Sequence, residues 1–225
     1  MSNNNHTDIL VIGSGPGGYA AAFRAADLGR EVTLVDKDPT LGGVCLNRGC
    51  IPSKTLLHIS KVLEEAESLK KMGVTFTKPT IDIDLVRDWK NKVVSQLSGG
   101  IGQMAKARKV NTIQAEATFL SNNEVQLKSE SSTEKITFDH CIIASGSSST
   151  IIPGIPFDNE NVLTSKTALN LEKIPKSLLV IGGGYIGLEM GTVFSALGSS
   201  VSLAEFLPNL LPGADPDLVK PLARK

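Results

Sequence analysis

The chain has no surplus of charge of either sign. Twenty-three Lys and Arg stand against 23 Asp and Glu among 225 residues. That balance gives no electrostatic reason to expect nucleic acid or an anionic membrane surface as a partner. No apolar run reaches the ~18–20 residues that a bilayer-spanning helix needs. The opening, Met1 to Asp8, is polar and lacks a basic segment followed by an apolar one, so no secretory signal is expected. Cysteine is scarce. Three thiols, only two of them near each other, make no disulfide framework, and a reducing cytoplasm is the expected setting. Histidine is equally scarce, at His6, His58 and His140. His58 has no second ligand at i±4, and no metal centre is expected. Trp89 is the single tryptophan.

Two glycine-rich turns are present instead. Ile9-Leu10-Val11-Ile12 is a short β-branched run, as expected of a strand buried on both faces. Gly13-Ser14-Gly15-Pro16-Gly17-Gly18 follows at once, then a helical stretch from Tyr19 to Leu28. Glu31 to Asp36 reads as a second strand closed by an acid. This is a complete βαβ dinucleotide fingerprint. Gly13 serves the tight turn, Gly15 the close approach of a pyrophosphate, Gly18 the packing of helix on strand, and Asp36 the ribose. The helix start adds N–H donors and a positive dipole. The pattern returns later in the chain. Ser177 to Ile181 is a strand, Gly182-Gly183-Gly184-Tyr185-Ile186-Gly187 a second fingerprint, and Val201 to Glu205 a strand ending in an acid. Glu205 favours a free 2′-hydroxyl and hence NAD, because Phe206-Leu207-Pro208 offers no Arg for a 2′-phosphate.

Between the two lies Gly42-Gly43-Val44-Cys45-Leu46-Asn47-Arg48-Gly49-Cys50-Ile51-Pro52-Ser53-Lys54. Four residues separate the cysteines, at the start of an expected helix. A bridge closing so short a loop constrains the unfolded chain little, so redox chemistry explains the pair better than stability does. A thiol near a helix N-terminus has its pKa lowered by the dipole. Two buried, inert cysteines are the plain alternative.

The rest reads as framework. Lys54 to Met72 is an amphipathic helix, and Asp82 to about Lys109 a second one, kinked or closely contacted at Gly99, Gly100 and Gly102. Val110–Leu120, Glu124–Lys128 and Lys135–Phe138 are expected as a small antiparallel meander, and Cys141 to Ala144 as a separate buried strand ending at Ser145-Gly146-Ser147. Cys141 is expected to be core. Pro153 to Pro175 reads as a connection.

Two dinucleotide motifs around a C-x₄-C pair resemble the flavin disulfide reductases. The segment Gly42 to Lys54 is most similar to their dihydrolipoyl dehydrogenase branch. The resemblance covers nearly the whole chain. It implies an α/β fold: an FAD-binding, doubly wound Rossmann-like parallel sheet with a small antiparallel meander over residues 1–150, then a linker and an incomplete NAD-binding Rossmann unit over 151–225. FAD would lie against Gly13, Gly15, Gly18, Asp36, Lys37, Gly43, Val44, Lys54, Ala117, Ser145, Gly146 and Ser147. NAD would lie against Gly182, Gly184, Tyr185, Ile186, Gly187, Glu189 and Glu205. Cys50 would face the flavin, and Cys45 would exchange with dihydrolipoamide carried on the lipoyl domains of 2-oxo acid dehydrogenase complexes. Together they would form a redox disulfide. Lys54 would pair with Glu189 beside the flavin, and Tyr185 would cover the nicotinamide pocket. Asp36 replaces the family's usual Glu, and Ala115 and Ala117 replace glycines beside the adenine. The family continues beyond the point matching Lys225 into a dimerisation domain, whose His is the catalytic base. None of the three histidines here lies in that motif, so the chain is not expected to turn over alone. A glutathione- or mercuric-reductase-like enzyme and a non-catalytic flavin-binding remnant are the rival readings.

Overall fold

A computed structural model describes residues 5–224. The polar opening read as no signal therefore falls, for residues 1–4, outside the described residues. The chain divides into two compact units, one running up to Ile51 and including Lys92–Ser148, the other comprising Pro52–Asn91 and everything from Ser149 on.

The first unit opens with β1 (His6–Ile12), α1 (Pro16–Asp27) and β2 (Val32–Asp36), followed by α2 (Gly43–Arg48). Helix α3 (Cys50–Ser68) starts here and carries on into the second unit, which then holds a 3-10 turn at Leu69–Met72. Helix α4 (Ile83–Ala107) leads back to β3 (Asn111–Gln114), β4 (Glu116–Phe119), β5 (Glu124–Lys128) and β6 (Thr133–Ile143). One six-stranded sheet results, in the order β3-β2-β1-β6-β5-β4. β3, β2, β1 and β6 are parallel neighbours in that order. The β4–β5 and β5–β6 pairs are antiparallel.

Period-two alternation sends the central strands to two cores. Val11, Val32 and Leu34 pack with Ala22, Phe23 and Ala25 of α1 and with Ala105 of α4. Leu10 and Val35 pack with Val125, Leu127, Ile136 and Phe138 of the meander. The strands are buried on both faces, so β1 and β2 read as nearly unbroken apolar runs.

The structure redraws several expected elements. Val110–Leu120 is not one strand. It breaks at Ala115, whose N–H donates to the Asp36 carbonyl at 2.9 Å, handing the chain from β3 to β4. Lys135–Phe138 and Cys141–Ala144 are not two strands. β6 runs through polar Asp139 and His140, because its ladder to β1 extends from Thr137 to Ile143. The meander therefore shares β6 with the parallel sheet. α4 runs as a single helix through its three glycines, where Ile101 and Ala105 pack into the first core; tertiary packing outweighs the weak helix propensity of glycine. Cys141 is partly buried against the second core, and desolvation there pushes its thiol pKa up.

The second unit contains α5 (Ser165–Ala168), β7 (Ser177–Ile181), α6 (Tyr185–Ala196), β8 (Ser200–Ala204) and α7 (Pro216–Ala223). β7 and β8 pair in parallel. The expected connection from Pro153 to Pro175 holds α5, started by a reciprocal Thr164–Thr167 capping box. Leu56 of α3 packs with Met190, Val193 and Phe194 of α6 and with Leu169 and Leu171. Buried Lys90 of α4 is held there too, donating to the Leu169 carbonyl at 2.7 Å. Among the described residues no helix is long and apolar enough to cross a membrane.

Candidate functional site

Gly13 sits at φ +102°, where a side chain is strained, and a Cβ on it would fall 2.1 Å from the Ala144 carbonyl oxygen. The turn can therefore pass between β1 and the end of β6 only as glycine. The helix start matters next. α1 begins after Gly15 with no side-chain cap, and Pro16 has no N–H. Donors of the first turn are left for an outside acceptor, as an anion site requires.

Asp36, at the end of β2, turns back onto this loop. Its Oδ2 accepts from both the amide and the hydroxyl of Ser14, each at 2.6 Å, and its Oδ1 accepts from the Asp38 amide at 2.9 Å. Burial pushes the carboxyl pKa up. The Ser14 hydroxyl, the Asp38 and Ser14 amides and the nearby Arg48 outweigh that and hold it below the usual carboxylate range. Ser14 is fully buried. Sequence reasoning missed it, although a hydroxyl between two loop glycines, with an acid one strand away, is a readable signal. Arg48 also pairs with Asp38.

Beside Asp36 lies a cavity of about 530 Å³, lined in part by Thr40, Leu41, Ser95, Gly99, Gly102 and Gln114. Gly99 and Gly102 stand on one face of α4 and keep it open, with no atom within 4 Å of where a Cβ would sit. Lys37 and Ser145 to Ser147 are exposed nearby in sequence to Asp36 and to the end of β6. Ala117 faces the meander core instead, and Ala115 spends its amide on Asp36.

The dithiol segment is laid directly on the glycine loop. The Gly42 amide donates to the Ser14 carbonyl at 2.9 Å. Gly43, at φ +60°, presses so close that a Cβ there would lie 2.5 Å from Gly15 Cα. α2 then carries Cys45, half-buried, and Gly49 folds the chain back so that its own Cβ position lies 3.3 Å from Cys45 Cα. Cys50, exposed, opens α3. The expected helix from Lys54 thus begins four residues earlier. The structure holds the pair as thiols and not as the disulfide that the resemblance implies. Val44 is 44% exposed and faces away from the core.

In the second unit Lys54 and Glu189 meet, Nζ to Oε1 at 2.5 Å. The second glycine loop repeats the first. Gly182 lies at φ +104°, and α6 begins after Gly184 without a side-chain cap. Glu205 accepts from the Gly183 amide at 2.5 Å and the Leu207 amide at 2.7 Å. Those two amides, the Leu207 one foremost, hold its pKa below the usual range. Tyr185 and Ile186 stand exposed at the mouth of α6, and Gly187 packs against the Gly182 carbonyl.

Two uncapped dinucleotide loops, one of them roofed by a dithiol helix, define a class of nucleotide-linked thiol oxidoreductase. The chain belongs to the family described as pyridine nucleotide-disulphide oxidoreductase, which it matches over residues 7–225. It is 47% identical over 220 residues to a dihydrolipoyl dehydrogenase of Vibrio cholerae and 48% identical over 220 residues to one of Haemophilus influenzae. Those alignments take in 98% and 97% of this chain but 46% of each relative, so the chain spans about half the length of the curated relatives it matches. Among solved structures it resembles the HOCl-induced flavoprotein disulfide reductase RclA from Escherichia coli, with a TM-score of 0.80 and 28% identity over 96% of this chain and 46% of that one.

Proposed function

We propose that this chain is the flavin-binding and dithiol-bearing part of a dihydrolipoyl dehydrogenase, with residues 1–150 holding FAD and 151–225 opening the NAD-binding domain. The observation that carries the proposal is the contact of Gly43 with Gly15, which fixes the cysteine helix against a dinucleotide loop. The residues fit both cofactors. Uncapped helix starts after Gly15 and Gly184 offer N–H groups to a pyrophosphate, the Asp36 cavity has room for an adenosine, and Asp36 and Glu205 follow the glycine loops at the strand ends from which the motif directs an acid to the ribose. FAD, when bound, supplies two-electron transfer between a dithiol and a nicotinamide.

The protein's own part is thiol exchange. A dihydrolipoamide thiolate attacks Cys45 Sγ in the oxidised pair, and the Cys45–Cys50 bond breaks with the electron pair leaving on Cys50. The second substrate thiolate then attacks the substrate sulfur of the mixed disulfide, freeing lipoamide and the Cys45 thiolate. Lys54 lies one turn beyond Cys50 on α3 and is oriented by Glu189. Lipoyl domains of 2-oxo acid dehydrogenase complexes, a homodimeric assembly and a cytoplasmic setting complete the reading.

FAD titration of the protein tests it. One equivalent of flavin should bind to the wild type and none to Gly13→Val. Dihydrolipoamide should reduce the bound flavin, and Cys45→Ser should abolish the reduction. Flavin bound but never reduced by dihydrolipoamide would instead favour a related reductase or a non-catalytic flavin module.

A further inference from the structure

At the far end of β1 from the glycine loop, three side chains converge that the proposed reaction does not use. Ligand atoms of His6, Asp8 and Asp139 all lie within 4.8 Å of one another. The sheet places them. His6 and Asp8 alternate with Thr7 on β1, so they share one face. The parallel register sets His6 beside Thr137 and Thr7 beside Phe138, which brings Asp8 level with Asp139. Two carboxylates thus stand side by side on neighbouring strands, an arrangement that costs stability unless a cation lies between them.

The imidazole is set up to supply the third donor. The Thr137 hydroxyl donates to the Asn5 carbonyl at 3.2 Å, which leaves its oxygen as an acceptor. His6 Nδ1 lies 3.0 Å from that oxygen, which accepts a hydrogen bond from it in the Nδ1–H tautomer. In that tautomer Nε2 presents its lone pair 3.5 Å from Asp139 Oδ1, so a nitrogen and an oxygen donor face the same point. Asp8 is oriented as well, because its Oδ2 accepts the Glu31 amide at 3.0 Å. A ligating histidine whose other nitrogen donates to a fixed oxygen is the usual support for a metal ligand.

We propose that His6, Asp8 and Asp139 bind a divalent transition-metal ion such as Zn²⁺ or Co²⁺. One imidazole nitrogen with two carboxylate oxygens suits these borderline ions better than Ca²⁺ or Mg²⁺, which take oxygen ligands. Metal–ligand bonds of about 2.0–2.2 Å put two donors on one ion within about 4.4 Å. The cluster therefore has to close only slightly. His6 and Asp139 side chains are 41% and 60% exposed, so the ion can enter directly and water can complete its shell. Bound there, it staples the start of β1 to the middle of β6.

The test is a Co²⁺ titration of the full chain without a polyhistidine tag, after chelator treatment, with Zn²⁺ competition. One equivalent should bind. His6→Ala and Asp139→Asn should each weaken binding by at least about tenfold, and Thr137→Val by about tenfold through the lost support. Replacing Cys45, Cys50 and Cys141 together by Ser should leave this binding unchanged. Far-UV circular dichroism checks each variant's fold. In the wild type, bound Co²⁺ should shift the ring signals of His6 and spare those of His58 and His140. Absence of saturable binding up to millimolar metal would overturn the proposal. Binding that follows the cysteines and ignores His6→Ala would overturn it equally.

Discussion

The two glycine loops of this chain are built alike and embedded differently. In both, the first glycine takes a positive φ, +102° at Gly13 and +104° at Gly182. In both, the last glycine packs onto the carbonyl of the first, and the acid ending the next strand accepts the amide that follows the first glycine. The surroundings diverge. β2 is buried along its length, whereas β7 and β8 alternate with solvent, leaving Leu179 and Ile181 exposed. The first loop is roofed by Gly43, and its acid gains a hydroxyl from Ser14, where the second loop has Gly183. The loop geometry is thus a local property of some thirty residues. Its depth is set by strands that arrive from far along the sequence, β3 and β6 in the first unit.

The sharpest way to break this parallel is at the last glycine. A Cβ at Gly18 would meet the Gly13 carbonyl oxygen at 1.7 Å, and one at Gly187 would meet the Gly182 oxygen at 2.1 Å. Both obstacles are backbone, so neither can swing aside. Gly18→Ala should destabilise the first unit by about 3 kcal/mol or more, at the upper end of overpacking effects. Gly187→Ala should cost less, because β7 and β8 have solvent on one side into which the helix can yield. Urea midpoints of the two variants decide it, and an equal or larger loss for Gly187→Ala would mean that embedding does not govern the cost.

How much of this was legible follows the same division. The βαβ units could be read because strand, glycines, helix and acid lie within one short span. So could the pairing of Lys54 with Glu189, through resemblance and not through any local pattern. The single long β6 could not be read. Its apolar run is interrupted by Asp139 and His140, and only the ladder to β1 carries the strand through them. Gly99, Gly100 and Gly102 read as a kink or a close contact because local propensity is the only guide in the sequence; the helix runs on through them with open space beside each, and its packing partners lie elsewhere in the sequence. The Ser14–Asp36 bond was hidden because motif reasoning assigns the acid outward, to a ribose, and not back to its own loop.

That bond supplies the next test. Asp36→Asn keeps the shape but turns one acceptor into a donor facing donors from Ser14 or Asp38. Hydrogen bonds to a charged group contribute about 1.5–3 kcal/mol each, and partial exposure of Asp36 puts the expected loss at the lower end. The pH dependence has a definite sign. A carboxyl whose folded pKa lies below its unfolded value stabilises the fold above the unfolded pKa, 3.8 here, and loses that contribution as pH falls through the folded pKa. The gap in stability between wild type and Asp36→Asn should therefore be full at neutral pH and shrink below 3.8. A gap that stayed constant into acid would show that the charge is not involved. Ser14→Gly converts the first loop into the second loop's chemistry. It should cost about 1 kcal/mol and let the Asp36 pKa rise, which carboxyl NMR titration would detect.

The smallest effect is expected at Lys54 and Glu189. The contact is short, yet the Lys54 side chain is 62% exposed and Glu189 22%. Solvent screens a pair of that kind, and ordering a long lysine costs side-chain entropy, so exposed pairs couple by less than about 1 kcal/mol. Glu189 also sits one turn into α6, near the positive end of the helix dipole, and keeps some stabilisation without its partner. A double-mutant cycle with Lys54→Met and Glu189→Gln should give a coupling under about 1 kcal/mol, falling further in high salt. The same variants should move the reduction potential of bound flavin far more than they move stability, if the lysine is held for the cofactor and not for the fold. A large coupling in stability with an unmoved potential would make the pair a structural clamp of the second unit and remove Lys54 from the site.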